Sequence, residues 1–119
     1  MKQTLLDTSF ILTCIKNKID LFEQLNFEGI RVLIPKQVIK ELDGLAKKNM
    51  DAKLALKIIQ KNKSRLTIIQ LSGKNTDNSI INYARKNPDI IIATIDKGIK
   101  SRVKNYKLIV RNKKMLEIV

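Results

Sequence analysis

Ile90-Ile91-Ile92-Ala93-Thr94-Ile95-Asp96-Lys97 is the stretch on which the fold turns. An apolar, largely β-branched run closed by an acid predicts a strand over Ile90–Ile95 that is buried on both faces. Such strands belong to parallel sheets covered by helices. Asn87-Pro88-Asp89 breaks the chain before the strand, and a short helix over Lys97–Lys104 is expected after it. Working outward, the same alternation recurs. Thr4–Leu6 reads as a strand, Thr8–Asn17 as a helix, Asp20–Phe27 as a short helix and Arg31–Ile34 as a strand. Pro35 suits the first turn of a helix running to about Lys48, because that position needs no backbone donor. After a turn at Asn49–Asp51, an amphipathic helix is expected over Ala52–Asn62. A strand over Leu66–Leu71, a loop over Ser72–Asn75 and a helix over Asp77–Lys86 follow. Lys107–Val110 is the last parallel strand, with a short terminal strand over Leu116–Val119. The expectation is a three-layer α/β/α domain with a mostly parallel central sheet and right-handed crossovers, spanning residues 1–119 as one unit.

Composition narrows the chemistry. The 119 residues contain no histidine and one cysteine, so an ordinary zinc site, a Ser-His or Cys-His pair and a disulfide within the chain are all excluded. Cys14 sits beside Phe10, Ile11 and Ile15 at helical spacing and reads as a core thiol. Lys and Arg number 24 against 11 Asp and Glu, a net charge of +13, which favours a polyanion as partner. Nucleic acid is preferred over a membrane surface, since the charge is spread along the chain and no basic amphipathic or lipidated segment collects it. No apolar run is long enough to cross a bilayer, and Leu5–Ile15 lacks the pattern of a signal peptide, so a cytoplasmic location is expected.

The catalytic candidates are therefore carboxylates. Asp7 and Asp96 each follow a predicted parallel strand, which places both at the carboxyl edge of the sheet, where ligands of such folds collect. The ordinary alternative for either is a helix N-cap. Asp77 shares a helix face with Ile80, Ile81 and Ala84, so its carboxylate is expected to point inward. A helix N-terminal role is the competing account. Glu41 and Asp43 flank the stripe of Val38, Ile39, Leu42, Leu45 and Ala46 from opposite edges, and the wheel does not choose between them. Converging acids repel unless a cation neutralises them, and oxygen-only ligands favour Mg²⁺ or Mn²⁺.

Four segments resemble the motifs of the PIN domain, a family of metal-dependent nucleases: Leu5-Leu6-Asp7-Thr8-Ser9, Ile34 to Leu42, Thr76 to Ile81, and Ala93-Thr94-Ile95-Asp96-Lys97. The resemblance implies that Asp7, Glu41, Asp77 and Asp96 are the metal-binding catalytic acids and that Asp43 is a bystander. Thr8, Ser9, Thr94 and Asn78 would be their polar supports. It further implies hydrolysis of RNA by metal-activated water, and it suggests a homodimer. Lys40-Glu41-Leu42-Asp43 and Lys107 to Arg111 are similar to stand-alone relatives linked to ribosomal RNA processing. Those relatives carry a second acid where this chain has Asn78, which weakens the case for a second metal ion. A VapC-type toxin with an antitoxin partner is the alternative within the family. A non-catalytic RNA-binding or assembly factor is the alternative outside it. A receiver-like signalling domain would need an acid after the middle strand, and Ile69-Gln70-Leu71-Ser72 has none.

For RNA contact the candidates are Lys53, Lys57 and Lys61, at helical spacing opposite Leu54, Ala55, Ile58 and Ile59, and Lys97, Lys100, Arg102 and Lys104 near Asp96. Any one of them could equally be part of a solvated face. Aromatic residues make up only 4%, so recognition should rest on phosphates and RNA shape rather than on base stacking.

Overall fold

The computed structural model describes residues 2–119. The elements are β1 (Lys2–Leu6), α1 (Thr8–Lys16), α2 (Leu21–Phe27), β2 (Ile30–Pro35), α3 (Lys36–Leu45) and α4 (Met50–Lys61). After these come β3 (Leu66–Ile69), α5 (Thr76–Lys86), β4 (Ile91–Ala93), α6 (Lys97–Arg102), β5 (Lys107–Arg111) and β6 (Met115–Ile118). The strands form one sheet in the order β3-β2-β1-β4-β5-β6. Every pairing is parallel except that of β5 with β6.

Alternation along β1 divides the core. Leu6 packs beneath α1 to α4 with Phe10, Leu25, Val38, Leu42 and Ala55, whereas Leu5 packs on the other face with Ile80, Ala84, Ile92 and Ile99 of α5, β4 and α6. The result is an α/β/α sandwich, as the alternating strands and helices predict. Each fully buried Leu or Ile of these layers contributes about 1.5–3 kcal/mol relative to exposure. Cys14 is fully buried, and burial pushes its thiol up to about 12, so it behaves as a small apolar side chain.

Several boundaries differ from expectation for local reasons. The third helix stops at Leu45 rather than Lys48, because Asn49 starts the next one: the Ala52 N–H donates to its Oδ1 at 3.1 Å, drawing Met50 and Asp51 into the first turn of α4. The central apolar strand is only Ile91–Ala93. Its partner β1 ends at Leu6 opposite Ala93, so on that side the ladder has nothing further to pair with, and Ile95 emerges 48% exposed. Lys63–Arg65 forms a 3₁₀ turn that the sequence reading did not separate.

The strand order fixes where a ligand can sit. From β1 the chain moves outward through β2 and β3, then returns to β4 on the opposite side of β1. Crossovers therefore lie on different faces on the two sides of the β1/β4 boundary. The carboxyl ends of those two strands open a crevice between the helix layers.

Candidate active site

Asp7 leaves β1 at this crevice and Asp96 follows β4 there. Glu41 enters from α3 and Asp77 from the first turn of α5. All four line one cavity of about 90 Å³, together with Thr8, Ser9, Thr76 and Ile80. The buried neighbours Val38 and Leu42 set the phase of α3, which turns Glu41 toward the cavity. Asp43 is exposed and does not line it, so geometry separates two acids that the helical wheel left equivalent.

The acids differ in environment. Asp7 is 7% exposed, and three donors hold it: the Phe10 N–H at 2.8 Å and Ser9 Oγ at 2.9 Å on Oδ1, and Thr94 Oγ1 on Oδ2. Desolvation raises its pKa above the usual carboxylate value, the hydrogen bonds oppose that rise, and the nearby Asp77 charge adds to it. Asp96 is half-buried and caps α6, with Oδ1 accepting from the Gly98 N–H at 2.7 Å and the Ile99 N–H at 3.1 Å. Among the described residues no donor engages its Oδ2. Thr94 joins the two acids, since its hydroxyl donates to Asp7 and accepts from the Asp96 N–H at 3.0 Å.

Asp77 departs from expectation. It lines the cavity alongside Ile80, but it is exposed on the rim instead of buried with the apolar stripe. Asp77 and Asn78 are both exposed in the first turn of α5, and Asn75 rather than Asp77 caps the helix, its Oδ1 accepting from the Asn78 N–H at 3.0 Å. The Asn78 side chain is exposed and lines no part of the cavity.

Sequence reasoning placed a loop over Ser72–Asn75 but missed the bonds that close it onto the start of α5 ahead of Asp77. Gly73 has φ +101°, and a Cβ there would meet Ser79 Oγ at 2.9 Å. That hydroxyl is hydrogen-bonded to the carbonyl oxygens of Ser72 and Asn75, closing the loop over the start of α5. Asp-Asn-Ser at the head of the helix was the available signal, because an inward serine at that point commonly bonds backbone rather than solvent. The lysines of α4, Lys53, Lys57 and Lys61, are exposed. So are Lys97, Arg102 and Lys104 around α6, whereas Lys100 is half-buried. A second cavity of about 360 Å³ shares Ser9 with the first and is lined by Thr13, Lys16, Asn49 and Ile95 among others, so the crevice continues past the acids.

The donor set suits a hard cation, being all oxygen. Among the described residues no three acids are gathered tightly enough to hold an ion unaided. Mg²⁺ ordinarily keeps several waters and takes one or two carboxylates plus a phosphate, so an open ring of acids around a small solvent-connected space fits that habit. The space is far below the 300 Å³ or more of typical small-molecule sites, so it accommodates an ion and a phosphate group rather than an enclosed base.

Known proteins resemble this chain in both sequence and fold. The chain is 29% identical to ribonuclease VapC4 of Methanocaldococcus jannaschii over 94% of its own length and 92% of the relative's. The structure of the PIN domain endonuclease Utp24 superimposes with a TM-score of 0.79 and 26% identity, covering 98% of this chain and 95% of that one. A crystal structure of PAE2754 from Pyrobaculum aerophilum shares the fold at a TM-score of 0.59 and 13% identity, with 89% of each chain covered. A model of the PIN-like domain family matches residues 4–113, and this chain belongs to that family.

Proposed function

We propose that this chain is a divalent-metal-dependent endoribonuclease of the cytoplasm that hydrolyses RNA phosphodiester bonds. The observation that carries the reading is the joint lining of one cavity, at the β1/β4 crevice, by Asp7, Glu41, Asp77 and Asp96. These four would hold Mg²⁺ or Mn²⁺, which when bound supplies an activated water and neutralises charge on the phosphate. Asp7, fixed by Ser9, Thr94 and the Phe10 amide, is the rigid member of the set. Asp96 keeps one oxygen free for the cavity. Asp77 lies exposed on the rim, where substrate would enter. The surrounding lysines draw in the phosphate backbone, and the basic excess overcomes the local repulsion between acids and RNA.

A role in ribosomal RNA processing is the preferred setting, resting on the similarity of Lys40-Glu41-Leu42-Asp43 and Lys107 to Arg111 to the stand-alone relatives, while the near-full-length likeness to Utp24 supports endonuclease activity. The toxin reading has its own support in the likeness to ribonuclease VapC4, and it would require an antitoxin partner. Cleavage of end-labelled RNA with and without Mn²⁺ tests the activity itself. Asp7→Asn and Asp96→Asn should each abolish metal-dependent cleavage in a folded protein. Cleavage at the normal rate by either variant refutes the assignment, and RNA binding without any turnover under all metal conditions favours a non-catalytic binding factor.

A further inference from the structure

The positive charge of this chain is not evenly laid. Between α2 and the β5–β6 hairpin lies a cavity of about 550 Å³ whose rim carries Glu23, Glu28 and Glu117, three of the four glutamates in the protein. Among the described residues no Lys or Arg lines it, in a chain that has 24. Its walls are apolar: Phe27 is 86% exposed and Met115 61%, with Ile118 beside them. Large exposed apolar groups rimmed by charge mark interaction surfaces. The walls are held in place by Gln24, whose Nε2 donates to the Lys114 carbonyl oxygen at 3.4 Å while its Oε1 accepts from the Leu116 N–H at 3.3 Å, bridging α2 to β6.

We propose that this groove docks a basic amphipathic segment of another protein. Its apolar side chains would cover Phe27 and Met115, and its Lys or Arg side chains would meet the three glutamates. Glu23 already pairs with Arg65 at 3.4 Å, and Glu117 with Arg111. Both pairs are exposed and therefore weak, so an incoming cation can compete for those carboxylates. Glu28 has no ion-pair partner among the described residues. RNA is disfavoured here by the carboxylates. A second copy placed groove to groove would set glutamates against glutamates, and its net charge of +13 adds further repulsion. A basic segment, by contrast, is repelled by most of the surface and attracted at this rim.

The location separates docking from cleavage. Ile30 opens β2 and Leu108 lies at the start of β5, and both line the groove, so it sits at the amino ends of the parallel strands while the acids sit at the carboxyl ends. An occupant therefore leaves the acid cavity open. It acts as a means of recruitment for a nuclease that reads little base sequence itself. Only that last role rests on the nuclease reading; the docking does not.

The test uses a fluorescent synthetic helix with Leu on one face at i, i+3, i+4 and i+7 and Lys on the flanks, titrated into the full chain by anisotropy. Two control peptides replace Lys with Glu or scramble the stripe. The Lys/Leu peptide should bind the unaltered protein and the Asp96→Asn protein alike, and on the order of tenfold more weakly to Phe27→Ser and to Glu28→Lys, a change of about 1.4 kcal/mol. Both altered side chains are exposed, so the core is untouched. Cleavage of labelled RNA should be unchanged in either variant and with the peptide bound. Undiminished binding to both variants, equal binding by a control peptide, or loss of binding in Asp96→Asn overturns the proposal. So does light scattering that shows a dimer of the unaltered protein which Phe27→Ser converts to monomer, since a second copy would then fill the groove. Failure of RNA cleavage alone leaves the docking result standing and counts only against the nuclease reading.

Discussion

Thr94 is the side chain through which the two strand-end acids are joined, and its hydroxyl can be removed with little change of shape by Thr94→Val. The site is fully buried, so water cannot easily replace what is lost. Asp7 Oδ2 would lose its donor, and a hydrogen bond to an ionised group contributes about 1.5–3 kcal/mol. The Asp96 N–H is only part-buried and regains water, adding about 0.5–1.5 kcal/mol. The total of about 2–4.5 kcal/mol should lower the melting temperature by on the order of 10 °C for a domain of this size. Metal affinity should fall further, because the groups that orient a ligating carboxylate typically govern about 10–100-fold in affinity or activity. Thermal denaturation in chelator reads the first effect, and the Mn²⁺ concentration for half-maximal cleavage reads the second. Thr94→Ser keeps the hydroxyl and should restore the metal response. A Thr94→Val protein with unaltered melting temperature and Mn²⁺ response refutes the reasoning, as does a Ser variant that loses as much as Val.

Other expectations follow from the same geometry. Glu41→Gln should lose cleavage while Asp43→Asn retains it, measured on the same labelled RNA; equal loss would mean that α3 is rotated from the phase described. Burial holds Asp7 above its unfolded pKa, so just above the normal aspartate range the folded state binds more protons than the unfolded state, and metal-free stability should decline as pH rises through the folded value. Asp7→Asn should flatten that decline in urea titrations run at several pH values, and an unchanged slope would remove the burial argument. RNA affinity of a cleavage-dead protein should drop steeply with salt, with a log–log slope of about 0.7 per phosphate contact. Replacing Lys53, Lys57 and Lys61 together with Gln should lower both slope and affinity. A slope unaffected by that change moves the RNA path toward Lys97, Lys100, Arg102 and Lys104.

The layers and strand directions were readable because they rest on period and punctuation: continuous apolar strands, striped helices, and the breakers at Asn87-Pro88-Asp89. The register of strand ends was not readable. Ile95 continues the apolar run in sequence, but its exposure depends on β1 ending at Leu6, a fact about a segment almost ninety residues away. Asp77 failed for a related reason. Helical spacing correctly put it on the side of Ile80, but spacing carries no information on how little of that side is covered at the first turn of α5. The start of that helix is fixed by the Gly73 turn and the Ser79 hydrogen bonds.

For Asp7 and Asp96, capping a helix and the proposed metal binding are compatible roles. A carboxylate offers about four lone-pair sites. Asp96 uses two, both on Oδ1, to cap α6, and Asp7 uses three, of which only the Phe10 N–H is a cap bond. Capping therefore leaves acceptor capacity on both residues and also fixes their rotamers, so that the helix starts themselves aim the acids into the crevice. By this count Asp7 has about one position left and Asp96 about two, so if the proposed cation binds here Asp96 would give it the stronger contact. In the proposed metal site the more accessible Glu41 and Asp77 would complete a shell shared with water and phosphate.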